Sequence, residues 1–229
     1  LIKARHGAET FLLLPDLTAA LNHAGDPDMA LNNLERFLGE LPPEAQFISE
    51  TRKEPGVLTS LIVLFGASRF LADYSASTAA ETFQLLCRPA YLAGPARKEQ
   101  LDDRLAAALK DAAGDEDLFR VLRRFRKQEM LRIGLRDILG KADLNETVGE
   151  LSNLAEVCLQ AAYERADAEL RERFGKPVVQ EPDGTSMPAG FAVIGMGKLG
   201  GRELNFSSDI DLMYVYTADG ETEGVAGPD

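Results

Sequence analysis

The sequence predicts a mainly α chain of the α+β class, an N-terminal helical bundle followed by an α/β segment confined to its last part. Three observations carry this. Residues 1–140 place apolar side chains at helical spacing with no strand-like alternation. One long amphipathic stretch follows over Asp143–Phe174. Short apolar runs bracketed by glycine appear only after Gly175. We divide the chain at 1–142, a helical domain, and 143–229, a domain that opens with the long helix.

Taken in order, Asp16 before Leu17-Thr-Ala-Ala-Leu is an N-cap candidate, and Gly25-Asp26-Pro27 ends that helix. Met29–Leu41 carries Leu31, Leu34, Phe37 and Leu38 on one face. Pro42-Pro43 stops it, with Pro43 suited to begin the next short helix. Val57–Tyr74 is apolar nearly all round and belongs in the bundle core, with Gly66 marking a kink or a junction of two helices. Thr82–Cys87 and Glu99–Ala113 continue the pattern across a Pro89…Gly94-Pro95 connector. Gly140 closes the next helix, and Asp143 with Glu146 resembles a capping box opening the long one. Along that helix Val148, Leu151, Ala155, Cys158, Ala162 and Leu170 share a side. Pro177, Pro182, Gly184 and Pro188 mark a loop or hairpin, and the acidic, glycine-rich tail Ala218–Asp229 lacks periodicity.

The segment Asp115–Gly140 breaks its own pattern. A stripe of Leu118, Val121, Leu122 and Phe125 continues at helical pitch onto Glu129, Arg132 and Arg136, where apolar residues belong. Either Glu129 and Arg132 form an intrahelical pair on a half-exposed stripe, or these charges face a neighbouring domain or an anionic ligand. Arg123, Arg124, Arg126 and Lys127 point elsewhere, to solvent.

Composition excludes several classes of function. The 229 residues carry 25 Lys and Arg against 37 Asp and Glu, a net charge of −12, which opposes non-specific nucleic-acid binding. Mean hydropathy is −0.15, and no apolar run nears the roughly 20 residues of a membrane-spanning helix. The N-terminus has no secretory-signal plan, so the cytoplasm is the expected compartment. The chain starts at leucine, as a fragment or processed product would. Cys87 and Cys158 are read as free buried thiols, and His6 and His23 as surface residues that provide no zinc constellation.

The chemistry concentrates in Gly190–Tyr216, GFAVIGMGKLGGRELNFSSDIDLMYVY. The apolar run Phe191–Ile194 enters the glycine-dense turn Gly195–Gly201, and a second run carries Asp209 and Asp211. If Ser208–Tyr216 is a strand, both carboxylates project from one side with Cα atoms roughly 6–7 Å apart. Like charges held so close favour a cation between them, and hard oxygens favour Mg²⁺. Gly195-x-Gly197-x-x-Gly200 satisfies the dinucleotide fingerprint literally, but the two aspartates come too soon and leave no room for a crossover helix. A Walker loop fails because leucine follows Lys198. A glycine turn leading into Asp-x-Asp instead suits a nucleotidyltransferase site, in which carboxylates hold two cations roughly 3.5–4 Å apart. There the turn's amides with Ser207 and Ser208 cradle phosphate, and Lys198 adds a point charge.

GMGKLGGRELNFSSDIDL resembles the signature of the glutamine synthetase adenylyltransferases, also called adenylyl-removing enzymes. FRKQEMLRIGLRDILG at 125–140 and ETVGELSNLAE at 146–156 resemble the helical segment that precedes it. The resemblance implies a nucleotidyltransferase-fold α/β domain, incomplete here, because the family's third carboxylate comes from a later strand that this chain does not reach. ELNFSSDIDL resembles the N-terminal, removing half, which releases AMP from a tyrosine of glutamine synthetase by phosphorolysis to give ADP. The implied roles are metal binding by Asp209 and Asp211, as the catalytic carboxylates, and phosphate or nucleotide contact by Gly197, Gly200, Gly201 and Ser208. Mg²⁺, with ADP, ATP or AMP as substrate or product, is the implied ligand set. Glutamine synthetase and a PII-type nitrogen signalling protein are the implied partners. The chain alone is expected to bind metal poorly and to turn over little. The adenylyl-transferring half, another nucleotidyltransferase, and a non-catalytic docking or regulatory module remain the alternatives.

Overall fold

The computed structural model describes residues 12–42, 46–110, 112 and 114–224. It is mainly α with small antiparallel sheets, as the sequence predicts. Its two compact units are each discontinuous in sequence: Leu1–Pro95 with Lys127–Thr147, and Ala96–Arg126 with Val148–Asp229. The expectations placed on His6, Pro43, Ala113 and Asp229 lie outside the described residues.

The first unit is helical. Helix α1 spans Leu14–Leu21 and takes Pro15 near its start, so Asp16 lies inside its first turn rather than at the cap. Helix α2, Pro27–Glu40, is capped by an aspartate: the Asp26 carboxylate accepts from the Met29 N–H at 2.9 Å, with Pro27 in the first turn. Ala30, Leu34, Phe37 and Leu38 form its buried face, whereas Leu31 is exposed. Helices α3, Phe47–Lys53, α4, Pro55–Ala67, α5, Arg69–Ser77, and α6, Ala79–Leu86, complete the bundle before a 3₁₀ turn at Pro89–Leu92. The run Val57–Tyr74 is two helices, in keeping with the junction reading of Gly66, with the break at Ser68, whose hydroxyl accepts from the Leu71 N–H. Gly66 has another role. A Cβ there would sit 2.9 Å from the Asp26 carbonyl oxygen, so glycine lets the α1–α2 connection pack against α4. The Phe37 and Phe65 rings lie 5.5 Å apart in the core, and those of Phe47 and Phe83 5.2 Å apart. Neither Cys87 nor Cys158 is in a disulfide and both are half-buried, and burial beside Glu50 and Glu54 pushes the Cys87 thiol up.

The displaced charges resolve in this unit, on the second part of helix α8, Asp115–Ile138. Glu129, Arg132 and Arg136 are all buried. Arg132 Nε donates to Glu129 Oε2 at 2.7 Å, so the intrahelical pair forms, but inside the protein rather than on a half-exposed stripe. Arg136 donates to the carbonyls of Leu92 and Lys141 at 2.9 and 3.1 Å and to Glu146 at 2.5 Å. It thereby satisfies backbone acceptors where α8 ends and the next helix begins. Gly140 adopts φ +65°, and the Lys141 N–H reaches back to the Arg136 carbonyl at 2.8 Å, the glycine closure predicted. Only half of the expected capping box forms: Asp143 accepts from the Glu146 N–H at 2.8 Å, while the Glu146 side chain goes to Arg136.

The second unit holds helix α7, Lys98–Leu109, the first part of α8, most of helix α9, Leu144–Phe174, and the sheets. On α9 the buried face runs through Glu150, Leu151, Leu154 and Val157; of the expected stripe Leu151 is buried, whereas Leu170 is exposed. The buried Glu150 accepts from the Ala96 N–H at 2.7 Å. Strands β1, Pro177–Gln180, and β2, Ser186–Pro188, form the hairpin read from the prolines and Gly184. Within the tail, β5, Glu221–Thr222, pairs antiparallel with β1, whose Val178 is buried. A separate two-stranded sheet joins β3, Phe191–Gly195, to β4, Leu212–Tyr216.

Candidate functional site

The site is built around the end of the β3–β4 sheet. The strands run antiparallel, with Phe191 opposite Tyr216 and Gly195 opposite Leu212. This geometry excludes the parallel crossover of a dinucleotide fold. Beyond Gly195 the chain makes a single helical turn, α10, over Gly197–Gly200. Two glycines are demanded here. Gly197 has φ +53°, and a Cβ on Gly200 would stand 2.5 Å from the Gly195 carbonyl oxygen.

The aspartates differ from their expected placement. Strand β4 begins at Leu212, so Asp209 and Asp211 precede it and do not project from a common strand face. Asp211 is nonetheless tied to the turn. Its carbonyl accepts from the Met196 N–H at 2.8 Å, one step beyond the β3–β4 pairing. Its Oδ2 lies 3.5 Å from where a Cβ on Gly197 would be. That is ordinary contact distance, so it is the positive φ, not crowding by the carboxylate, that calls for glycine at 197. Asp209, two residues earlier, is exposed, as are Asp211 and Lys198.

Ser207 and Ser208 are held by a residue that sequence reasoning passed over. The Asn205 side-chain oxygen accepts from both hydroxyls, at 3.3 and 2.7 Å, and from the Ser207 N–H at 3.2 Å. An asparagine two residues before a backbone N–H that it accepts is a recognised turn former, so the signal was present in the Asn-Phe-Ser order. The Gly200 and Gly201 amides donate to the carbonyls of Met196 and Gly197 at 3.1 and 2.9 Å. Both amides are thus engaged within the turn, and the missing Cβ of Gly200 leaves room for the Gly195 carbonyl oxygen.

Arg202 and Glu156 were also missed, because the positions that meet lie far apart in sequence. Arg202 follows the turn at φ +55°, and its guanidinium donates to Glu156 Oε1 at 2.6 Å and to Asn153 on α9. Lys98 reaches the other Glu156 oxygen at 2.9 Å. Leu204 is buried next along, its N–H 3.4 Å from the Ser152 hydroxyl. A cavity of about 480 Å³ lined by Lys98, Glu156, Gln160, Arg202, Gly195 and Gly200 backs the turn. A larger apolar groove of about 1110 Å³ runs between α9 and the sheet, where the Tyr163, Phe191 and Tyr214 rings stack at 5.7 and 6.0 Å.

A glycine turn thus stands beside an aspartate at the mouth of a two-stranded sheet. Comparison with known proteins gives that arrangement a family. The sequence profile of the glutamate-ammonia ligase adenylyltransferases matches residues 58–228, including the turn and both aspartates. The chain belongs to this family. Three relatives, each named a bifunctional glutamine synthetase adenylyltransferase/adenylyl-removing enzyme, show its extent. The Thioalkalivibrio sulfidiphilus protein is 44% identical over 133 residues, 58% of this chain and 13% of the relative. That of Pseudomonas aeruginosa is 41% identical over 158 residues, 69% and 16% respectively. That of Mycobacterium leprae is 35% identical over 215 residues, 92% and 20%. The chain therefore spans at most a fifth of the length of these adenylyltransferases. Among its described residues no helix is long and apolar enough to cross a membrane.

Proposed function

We propose that the chain carries part of an adenylyl-removing site that acts on glutamine synthetase. A phosphate oxygen attacks the phosphorus of an adenylyl-tyrosine phosphodiester in line with the tyrosine oxygen. The bond to that oxygen breaks, and ADP and the free tyrosine leave. The observation that carries the reading is Asp211 tied to the glycine turn through the Met196 N–H, with Asp209 two residues away, inside the segment matched by the family.

Asp209 and Asp211 suit Mg²⁺ by donor chemistry: both are exposed carboxylates, hard oxygen ligands of the kind Mg²⁺ takes with substrate phosphates. Among the described residues no cluster of three or more His, Cys, Asp or Glu is placed to hold a metal. When bound, the ion neutralises phosphate charge and stabilises the entering and leaving oxygens. The remaining work falls to the chain. A phosphoryl oxygen sits beside the turn at Gly200 and Gly201, Lys198 supplies a positive charge from the same turn, and the Ser207 and Ser208 hydroxyls rotate away from Asn205 to donate to phosphate. Glutamine synthetase is the macromolecular substrate in this reading, and the reaction takes place in the cytoplasm. A PII-type signalling protein as a partner rests on the family resemblance alone.

The test is Asp209→Asn with Asp211→Asn in the full-length protein. Phosphate-dependent removal of AMP from adenylylated glutamine synthetase is lost while attachment from ATP persists. Loss of attachment with removal intact assigns the chain to the transferring half. Persistence of both activities leaves a docking or regulatory module.

A further inference from the structure

We propose that Arg202 is a positioning residue for this site: its clamp onto Glu156 and Asn153 fixes the exit of the glycine turn and so sets where Ser207–Asp211 stands. The inference rests on the adenylyl-removing reading above for its catalytic consequence, but not for its structural part.

The backbone geometry states the problem. The Glu203 N–H donates to the Lys198 carbonyl at 2.9 Å and the Arg202 N–H to that of Leu199 at 3.0 Å. Together they form the paired closure of a helical turn whose penultimate position is left-handed and ordinarily glycine. Here that position is Arg202 at φ +55°, immediately after Gly200-Gly201. A side chain in this conformation is strained, and the neighbouring glycines would have suited it better.

Stability does not account for the arginine. Its ion pair with Glu156 is substantially exposed, with 53% of the Arg202 side chain open to solvent, and pairs of this kind contribute little. What the side chain does is geometric. It makes two planar, directional bonds to residues three apart on one face of α9, a rigid helix. Glu156 is itself held by Lys98 from α7. Two residues further on, buried Leu204 is bonded to Ser152 of the same helix. The segment then reaches Asn205, the organiser of both serines, and Asp209 and Asp211 follow. Between the clamp and Asp211 the chain has no helix or strand of its own, so its placement is inherited from these anchors.

The experiment compares R202A, R202K and R202G in the full-length protein. Positioning is read by amide hydrogen exchange over Gly197–Asp211, expected to be tenfold or more faster in R202A and intermediate in R202K, which keeps the charge but cannot span both acceptors. R202G relieves the left-handed strain, so it folds even if R202A does not, and it too exchanges faster because the clamp is gone. Unchanged exchange in R202G overturns the proposal. The catalytic consequence is a tenfold or greater fall in the kcat of deadenylylation, with KM for phosphate within twofold of wild type and R202K between; wild-type kcat in R202G overturns it equally. If Asp209→Asn with Asp211→Asn leaves deadenylylation intact, the fault lies in the functional reading, and the exchange measurement still decides whether Arg202 positions the turn.

Discussion

Replacing Glu129 with alanine isolates the most consequential electrostatic feature of the helical unit. Arg132 is 2% exposed and Glu129 7%, and their 2.7 Å bond lies within α8. Removing the carboxylate leaves a guanidinium in surroundings where its hydration cannot be restored, a cost of about 3–5 kcal/mol. For a chain of this size each kcal/mol shifts the melting temperature by about 2–4 °C, so E129A should lower it by about 10 °C. Urea unfolding followed by circular dichroism supplies the free energy, and R132M should be similarly destabilised. The double variant E129L/R132M should be less destabilised than the sum of the single ones, because it leaves neither charge of the pair buried alone. A shift below about 1 kcal/mol for E129A would refute the reasoning, since it would mean that water reaches the pair. A double variant as destabilised as the sum of the single ones would refute the coupling.

Other perturbations test the packing more locally. Gly66→Ala should destabilise by about 1–3 kcal/mol in urea unfolding, because the 2.9 Å approach to the Asp26 backbone outweighs alanine's helical advantage of about 1 kcal/mol. Gly200→Ala, whose Cβ would meet the Gly195 oxygen at 2.5 Å, should displace the amide resonances of Gly195–Glu203 while leaving those of the helical bundle in place. Burial holds the Tyr91 hydroxyl protonated well above its ordinary range, with Glu129 adding to the effect, and that hydroxyl donates to the Gln128 carbonyl. Because the folded state retains this proton when the unfolded state has lost it, stability is complete below about pH 10 and falls as pH rises further. Tyr91→Phe should therefore flatten the alkaline fall in urea stability relative to wild type; parallel curves would discount the contribution.

Much of the fold was legible because its signals are local. Helical periodicity marked the bundle, Gly140 announced its left-handed closure, and Pro182 with Gly184 announced the β1–β2 hairpin. Each is a preference of a few consecutive residues for particular dihedral angles. The errors came where two local readings were both permissible. Asp16 and Asp26 are equally good caps in isolation, and only Pro27 directly after Asp26 gave the second its preset first turn. Gly66 signalled the helix junction that falls two residues later, at Ser68, but its close approach to Asp26, 40 positions earlier, has no mark in the neighbouring residues. The site divides in the same way: Gly197 and Gly200 could be singled out from their density in the turn, whereas the start of β4 could not, because alternation in Asp-Ile-Asp-Leu continues smoothly across a boundary set by where β3 ends.

By itself, the sequence determined the class of the chain, its helical segments, the glycine turn with its two aspartates, and the family to which they belong. Tertiary structure alone decided that Glu129, Arg132 and Arg136 are buried, that Glu221–Thr222 completes a sheet with β1, and that Arg202 anchors the turn to Glu156. The physical reason is contact distance along the chain. A dihedral preference or a helical stripe is written within a few residues, but a salt bridge across 46 positions or a strand pair across more than 40 is selected only by the packing that brings its members together.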